Sequence, residues 1–543
     1  MGGLTERVIN QVKKTKSHKK KKQTMKKKLF KTRLLSFAAF CGLTLAFASC
    51  ANEDVAQNPN STDNDKNLTT FTAGDPSTRT SMESDGKFFW EAGDKIYVKD
   101  DNGTWNASSN SPTSKTAYFK FKVPGTYTAH MSYNVYYPGQ SGSNDQVTIS
   151  ASQTQATPNT TTHFGTSGDC GMATATRIAG ERNFNFTLDH KAAYLLLLPR
   201  TTNTILQNCY LTKVEINSDN DITSTYTLDP VTGKLTGTGT GKQIVLTTKG
   251  SGTYANGFPL TNSTTSAVTN GSYVVIKPGT HTLKIRYWVK DIVTNIEGTI
   301  TKILSSATYD QNKYYNITAN LDTRVYDGDH YYMWDAQEQY WKGYEWTKNL
   351  PAGTGQPTLN GNISSNYPQN SSDANHRYYN QNYPGYGISN PATHTSCKDL
   401  PNANELSWYG MYGDPRWDGD ELWTTMGHLY KGGMWFKKKA NISGFNPNTA
   451  YDGSDWRTYG NSYGCSISYT LPDAADAGNY FYLPALGHYQ FGQLVNVFRG
   501  AIYWSSSAYP WDSKYAYELY LDNTGINVGS FPRYMGFRAE AFQ

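Results

Sequence analysis

The residues best able to do chemistry in this 543-residue chain crowd into its last third. The segment GDPRWDGDEL, Gly413 to Leu422, brings together Asp414, Asp418, Asp420 and Glu421. Ca²⁺ selects oxygen ligands of this kind. The run lacks the D-x-D-x-D-G spacing of an EF-hand loop, so it reads as a solvated acidic loop, and no metal is assigned to it. Trp417 and Trp423 flank the acids, and Trp511 stands in another polar stretch. Exposed aromatic faces suit sugar rings, with nearby carboxylates for the hydroxyls. Trp417, Asp418, Asp420, Trp423 and Trp511 are therefore the candidate ligand-binding residues. Trp408, Trp435 and Trp504 sit in apolar segments and read as core. KGGMWFKKK, Lys431 to Lys439, reads as a solvated strand end, with contact to an anionic glycan as the alternative.

No catalytic residue is assigned. The chain has no GxSxG, HExxH, P-loop or GxGxxG motif, and His330, His376, His394, His428 and His488 lack metal spacing. No cofactor is implied. Cys170, Cys209, Cys397 and Cys465 form no CxxC pattern. A disulfide between Cys397 and Cys465 and a set of free buried thiols both remain open.

At the other end, a basic stretch from Lys13 to Arg33 precedes an uncharged run, Leu34 to Ser49, which stops in small residues before Cys50. Basic flank, apolar run and small residues make a secretory signal. Phe47 to Cys50, FASC, resembles a bacterial lipobox, in which the cut falls before a Cys whose thiol carries a diacylglycerol. Cys50 is thus the expected lipidation site, and residues 1–49 the signal peptide. Phe47 stands where such motifs usually have Leu. Glu53 and Asp54 resemble the export tag of Bacteroidota surface lipoproteins, which implies the outer face of the outer membrane. Residues 1–49 hold 13 of the 50 basic residues and one of the 44 acids, so the remainder has a formal charge of −6. A mildly acidic protein lacks the footprint of a nucleic-acid binder.

Residues 50–68 are polar and too poor in apolar groups to fold, so they read as a flexible tether. From Thr69 onward short alternating runs separated by Gly, Asn and Asp predict strands, with no long helical period before residue 322. AYLLLLP, Ala193 to Pro199, is apolar throughout and predicts a central buried strand. KVEIN, QIVLTT, YVVIKP, TLKIRYWV, GTITKIL and YYNITANL continue a sandwich-like series. Ten of the thirteen Trp fall after residue 324. There, Pro351 to Thr395 reads as loop. Asn402 with Glu405 three residues on predicts a capped helix over ANELSWYGMY, and strands return at NYFYLPAL, AIYWSSS, AYELYLD and GFRAEAF.

Two stretches carry a family likeness. TRTSMESDGKFFWEAGDKIYV, Thr78 to Val98, together with HKAAYLLLL, YVVIKPGTHTLKIRY and KYYNITANL, resembles the Bacteroidota fimbrillin-like family. YFYLPALGHY with AIYWSSSAYPWDSKYAYELYLDNTGINVGSFPRYMGFRAEAF resembles the major paralogous domain of Fibrobacter, a member of the C-type lectin-like group. The likeness implies a mainly β chain: transthyretin-like β-sandwiches over 69–188 and 189–324, then an α+β, C-type lectin-like domain over 325–543. The E-P-N, Q-P-D and W-N-D triplets of Ca²⁺-type lectins are missing, so their sugar site does not transfer. Formylglycine-generating oxidases share the lectin-like fold, but the cysteines do not match, and fold alone is a poor warrant for activity.

Fimbrillins of the stalk are cut by proteases and polymerise by donating a strand to a neighbour's sheet, which is β-augmentation. Arg79, in the TRT motif, is where an Arg-specific protease could cut; the plainer reading is an ordinary exposed strand residue. With the C-terminus used to close a lectin-like domain, the expected function is a fimbrial tip or accessory pilin acting as an adhesin. Its expected partners are other fimbrillin subunits by donor-strand addition, a host or bacterial surface glycan or protein, and the outer membrane through its lipid. The alternative is a glycan-capturing surface lipoprotein of a nutrient-uptake system.

Overall fold

A computed structural model describes residues 67–74, 81–82, 88–326, 329–345, 366–425 and 427–542; Cys50 and Arg79 lie outside them. The chain is mainly β, built from several packed sheets, with a sheet-and-helix arrangement in its last third.

The first sheet runs in the order Trp105–Ala107, Tyr97–Lys99, Ser132–Tyr137, Gly171–Arg177, Phe184–Phe186, Leu68–Ala73, Phe119–Pro124. Leu68–Ala73 lies inside it, parallel to Phe184–Phe186 and antiparallel to Phe119–Pro124. Alternation puts Phe71, Phe121, Phe184 and Phe186 on one face, where they enclose the fully buried Trp90. The outer edge of Phe119–Pro124 is covered by Ser109, whose N–H donates to Lys122 O (2.7 Å), and by Asn110, whose amide bonds Lys120 O and Lys122 N.

Ala193–Arg200 is central in the next sheet, between Ser272–Ile276 and Tyr314–Asn320, as its apolar run predicts. It packs on a long sheet that includes Glu297–Tyr309, Gly279–Lys290, Tyr210–Ser218 and Gln243–Thr247, with Leu195, Val214, Ile285 and Tyr287 in the shared core. The two edges of the smaller sheet differ. At Ser272–Ile276 two glutamines imitate a missing strand. Gln153 bonds both the N–H (3.0 Å) and the C=O (2.7 Å) of Val275, and Gln155 bonds Tyr273 N and Gly271 O. At Tyr314–Asn320 no such cover exists among the described residues. Tyr194 N donates to Lys313 O and Leu321 N to Arg200 O, which sets the phase of the parallel ladder. The N–H and C=O groups of Tyr314, Asn316 and Thr318 therefore point outward.

Pairing crosses both boundaries expected from sequence. Gln146–Ile149 pairs with Ser224–Leu228, and Ser152–Thr154 with Gln243–Thr247. Farther on, Thr299 pairs in parallel with Glu421, so the long sheet continues into Arg416–Thr425, His428–Lys437 and Tyr480–Pro484.

The last sheet orders Tyr331–Tyr332, Phe537–Arg538, Gly500–Ala508, Tyr515–Asp522, Gly525–Pro532 and Tyr463–Ser466. The helix Ala403–Tyr412 lies against it, with the predicted capping box between Asn402 and Glu405. Gly410 lets the helix approach: a Cβ there would stand 3.1 Å from Tyr463 and 3.2 Å from Val528. Phe537 is fully buried, and Phe542 packs between Tyr409 and Phe481.

Candidate functional site

The acidic segment is a strand, not a solvated loop. Arg416–Thr425 pairs with His428–Lys437, with a register shift between Asp418 and Leu422. Asp418 is buried; it accepts both of its Arg286 contacts from NH2 (2.9 and 3.1 Å) and a third bond from Trp435 Nε1 (3.2 Å). Glu421 is also buried and accepts from Thr301 N (2.9 Å), Thr301 Oγ1 (2.7 Å) and Thr299 Oγ1 (3.0 Å). Burial, reinforced by the charge of Asp418, pushes its carboxyl up to about 7 against the pull of the Thr301 bonds. Lys284 donates to Pro472 O, and burial, with Arg286 next to it, lowers its ammonium pKa.

The remaining acids turn elsewhere: Asp420 to Lys431 (3.0 Å) and Asp414 to Arg416 (2.8 Å). Asp414, Asp418 and Asp420 thus face separate cations, while Glu421 lies beside Asp418 and is held by the threonines. Trp417 is 8 % exposed and Trp423 2 %. Trp423 stacks on Tyr430 (5.1 Å between centroids) and donates to Gly432 O. The expectation of exposed rings at Trp417 and Trp423 is corrected here: Trp417 lies in one core with Ala403, Met434 and Leu483, and Trp423 in another with Tyr326, Tyr430 and Tyr489. Of the rings expected in the core, Trp504 is fully buried, while Trp408 and Trp435 are half-buried.

Trp511 is different: it is 42 % exposed, and the fold gathers aromatic rings around it. It stands in the turn between Gly500–Ala508 and Tyr515–Asp522. Tyr386, 70 % exposed, stacks with it at 6.0 Å and 10° between planes. Tyr459, 64 % exposed, meets it edge-on at 6.1 Å, and Tyr509 does so at 6.0 Å.

Each ring is positioned by bonds to its own backbone support. Asp455 caps the short helix Trp456–Tyr459, pairs with Arg457 (2.8 Å) and accepts from Asn404. Gly460, at φ 74°, lies flat against the indole, where a Cβ would come within 3.2 Å of Trp511 Cε2. The Tyr386 loop is tied down by Gly387 N to Pro510 O (2.9 Å) and by the Tyr383 hydroxyl to the same oxygen. Beneath it the buried Arg533 donates to the carbonyl oxygens of Tyr515, Asn380 and Asn382, and burial lowers its pKa to about 10. Asp335 accepts from Thr393 N, His394 N and Asn380 Nδ2.

The site lies far from the acidic strand. Ala485 N bonds Gly432 O and Phe498 N bonds Ala485 O, so the Gly500 end of its strand adjoins the hairpin carrying Asp418. Ala508 is about 20 Å farther along, since it and Gly500 oppose Ala516 and Asp522 on the neighbouring strand. What the arrangement offers chemically is a rigid set of exposed π-faces edged by hydroxyls, suited to sugar C–H faces or apolar side chains. Sequence reasoning found Trp511 but missed Tyr386 and Tyr459. No spacing signal links them, because two separate loops and a short helix supply the rings.

One buried constellation has the look of a catalytic relay. Asp169 Oδ1 accepts from the Tyr194 hydroxyl (2.5 Å) and contacts His190 Nδ1 (3.0 Å). All three side chains are fully buried, so the cluster works as a clasp between the first and second sheets. Cys397 and Cys465 are free thiols in this structure, as are Cys170 and Cys209.

No family model matches the chain, and no curated protein matches it. Among solved structures it is similar to a fimbrial protein from Bacteroides ovatus (12 % identity, covering 87 % of this chain and 98 % of that one, TM-score 0.25). It is also similar to a candidate cell adhesion protein from Bacteroides ovatus (15 % identity, 47 % of this chain and 93 % of that one, TM-score 0.29). A further candidate cell adhesion protein, from Bacteroides fragilis, matches at 12 % identity over 47 % of this chain and 92 % of that one (TM-score 0.27). Identities and TM-scores this low say nothing about ligand or mechanism.

Proposed function

We propose that this chain is an exported surface adhesin, anchored to the outer membrane through a lipid on Cys50, and that it serves as a fimbrial tip or accessory subunit. In this reading residues 69–188 and 189–324 are fimbrillin-type sandwiches, and residues 325–543 are a lectin-like head that touches the ligand. The observation that carries it is the exposed ring cluster of Tyr386, Tyr459 and Trp511, held rigidly and remote from the junction with the second body. A soluble protein gains nothing by exposing adjacent large aromatics unless something covers them.

Two features support assembly with other subunits. The outward-facing backbone groups of Tyr314–Asn320 are a template for an added strand. Residues Phe537–Phe542 are tied into the core and unavailable as a donor while the head is folded. The chain accepts a strand in this reading. Cleavage at Arg79 would separate Leu68–Ala73 from the rest of the chain and open the first sheet between Phe184–Phe186 and Phe119–Pro124.

The test is immunogold labelling of intact cells with antibody against the full chain. Gold at pilus ends is expected. Gold spread over the cell surface, alongside a porin–lipoprotein pair, would replace the tip reading with the nutrient-uptake one.

A further inference from the structure

The aromatic surface does not stop at Tyr386. The segment from Tyr378 to Tyr386 links the Trp511 cluster to a second group of rings, in which Tyr378 and Tyr379 are half-buried and Tyr534 and Phe491 exposed. Tyr378 and Tyr379 lie 4.5 Å apart, Tyr378 adjoins Tyr534, and Tyr534 stacks with Phe491 at 6.0 Å and 27°. Tyr534 is 36 % exposed and Phe491 43 %. Phe491 is held in an unusual way. It occupies, with Gly492, the turn between Leu486–Gln490 and Gln493–Val497, and both residues have positive φ (48° and 80°). Such turns favour Asn-Gly, and a bulky aromatic at that position is strained. An exposed ring kept at a backbone cost points to a use for the ring itself.

The charges beside these rings are paired or held by neutral donors, Asp452 among the latter, bonded by Ser454, Trp456 Nε1 and Asn461. Arg457 pairs with Asp455 (2.8 Å) and Arg377 with Asp373 (2.6 Å). Asp512 accepts the backbone N–H of Lys514, so one carboxylate and one ammonium share the Trp511 turn. Gln381 and Asn382 are exposed between the two ring groups and offer both donors and acceptors. The electrostatic complement of such a surface is a neutral ligand, and its hydrogen-bonding complement is a chain of hydroxyls.

We propose that the ligand is an extended, uncharged glycan chain lying along Tyr459, Trp511, Tyr386, Tyr378, Tyr534 and Phe491, recognised along its length and not by a terminal sugar alone. The proposal rests on the head being the ligand-binding part of the molecule, and it adds the class of ligand.

The test is affinity electrophoresis of the full chain in gels containing hydroxyethyl cellulose, xyloglucan or galactomannan. It is followed by calorimetry with a disaccharide and a hexasaccharide of the retarding polymer. Retardation is expected in at least one gel, with the hexasaccharide bound at least about tenfold more tightly than the disaccharide, as one further ring contact would give. Phe491→Asn relieves the backbone strain and so keeps the fold; with it, and with Tyr534→Ala, the gain with length should shrink below about threefold. A hexasaccharide no better bound than the disaccharide, or a gain unmoved by both variants, overturns the extended site while leaving the Trp511 cluster as a binding point. Retardation by none of the polymers, with attachment to cells still lost in Trp511→Ala, overturns the glycan and makes a protein ligand the occupant. Loss of neither would remove the head's role along with it.

Discussion

Glu518 is buried on the strand Tyr515–Asp522, and its Oε2 has no hydrogen-bond partner among the described residues. Burial alone pushes its carboxyl up to about 8. Between the ordinary carboxylate range and that value the folded protein holds a proton that the unfolded chain has released, so stability falls as pH rises through this window. His163 and His488 act in the opposite sense. Burial lowers both to about 4, so the stability they contribute is complete above the ordinary histidine pKa and is lost as pH falls toward 4. The two effects leave a stability optimum in mildly acidic solution. Glu518→Gln removes the first of them. Its melting temperature relative to the parent should climb steadily from pH 5 to pH 8. A difference that stays flat across that range would mean that Glu518 is ionised in the folded state.

Among the strands, the pairing of Thr299 with Glu421 decides how the head is joined, because it is the register pair between the second body's long sheet and Arg416–Thr425. One backbone bridge is little, and the buried side chains around it carry the joint. Removing one member of a buried charge pair leaves the other uncompensated, at a cost of about 3–5 kcal/mol. Arg286→Met should therefore lower the unfolding free energy of the full chain by that order in a urea titration. Adding Asp418→Leu should recover much of the loss, and additive losses would show that the pair is not coupled.

This joint is also where sequence reading falls short. Asp418 and Glu421 look solvated because the residues that neutralise and hydrogen-bond them, Arg286, Thr299 and Thr301, lie more than a hundred positions earlier. Ala193–Arg200 was legible because an unbroken apolar run needs no knowledge of its partners to be placed inside a sheet. The helix Ala403–Tyr412 was legible for a related reason: its capping box is local. Trp511 could be picked out by its polar surroundings, while Tyr386 and Tyr459 reach it only through loop geometry set by Arg533, Asp335 and Gly460.

On the scale of the whole molecule, the parts are joined one after another by paired strands and buried contacts. Strands from residues 146–154 stitch the first body to the second, the Asp169–His190–Tyr194 clasp locks that joint, and the Arg286–Asp418 cluster locks the next. Buried polar contacts at two successive joints fix one geometry where loose linkers would permit many, which the proposed tip role would require. A rigid head whose exposed rings sit at the far end of its central strand is what such an arrangement would serve.

The most direct measurement is attachment of beads coated with the full chain to cells bearing its ligand, comparing the parent with Trp511→Ala/Tyr386→Ala. Both rings are surface groups, so the melting temperature should move little. Each removed stacking contact is worth about 1 kcal/mol, so attachment should fall at least about tenfold. Undiminished attachment by the folded double variant would contradict the ring cluster as the point of contact.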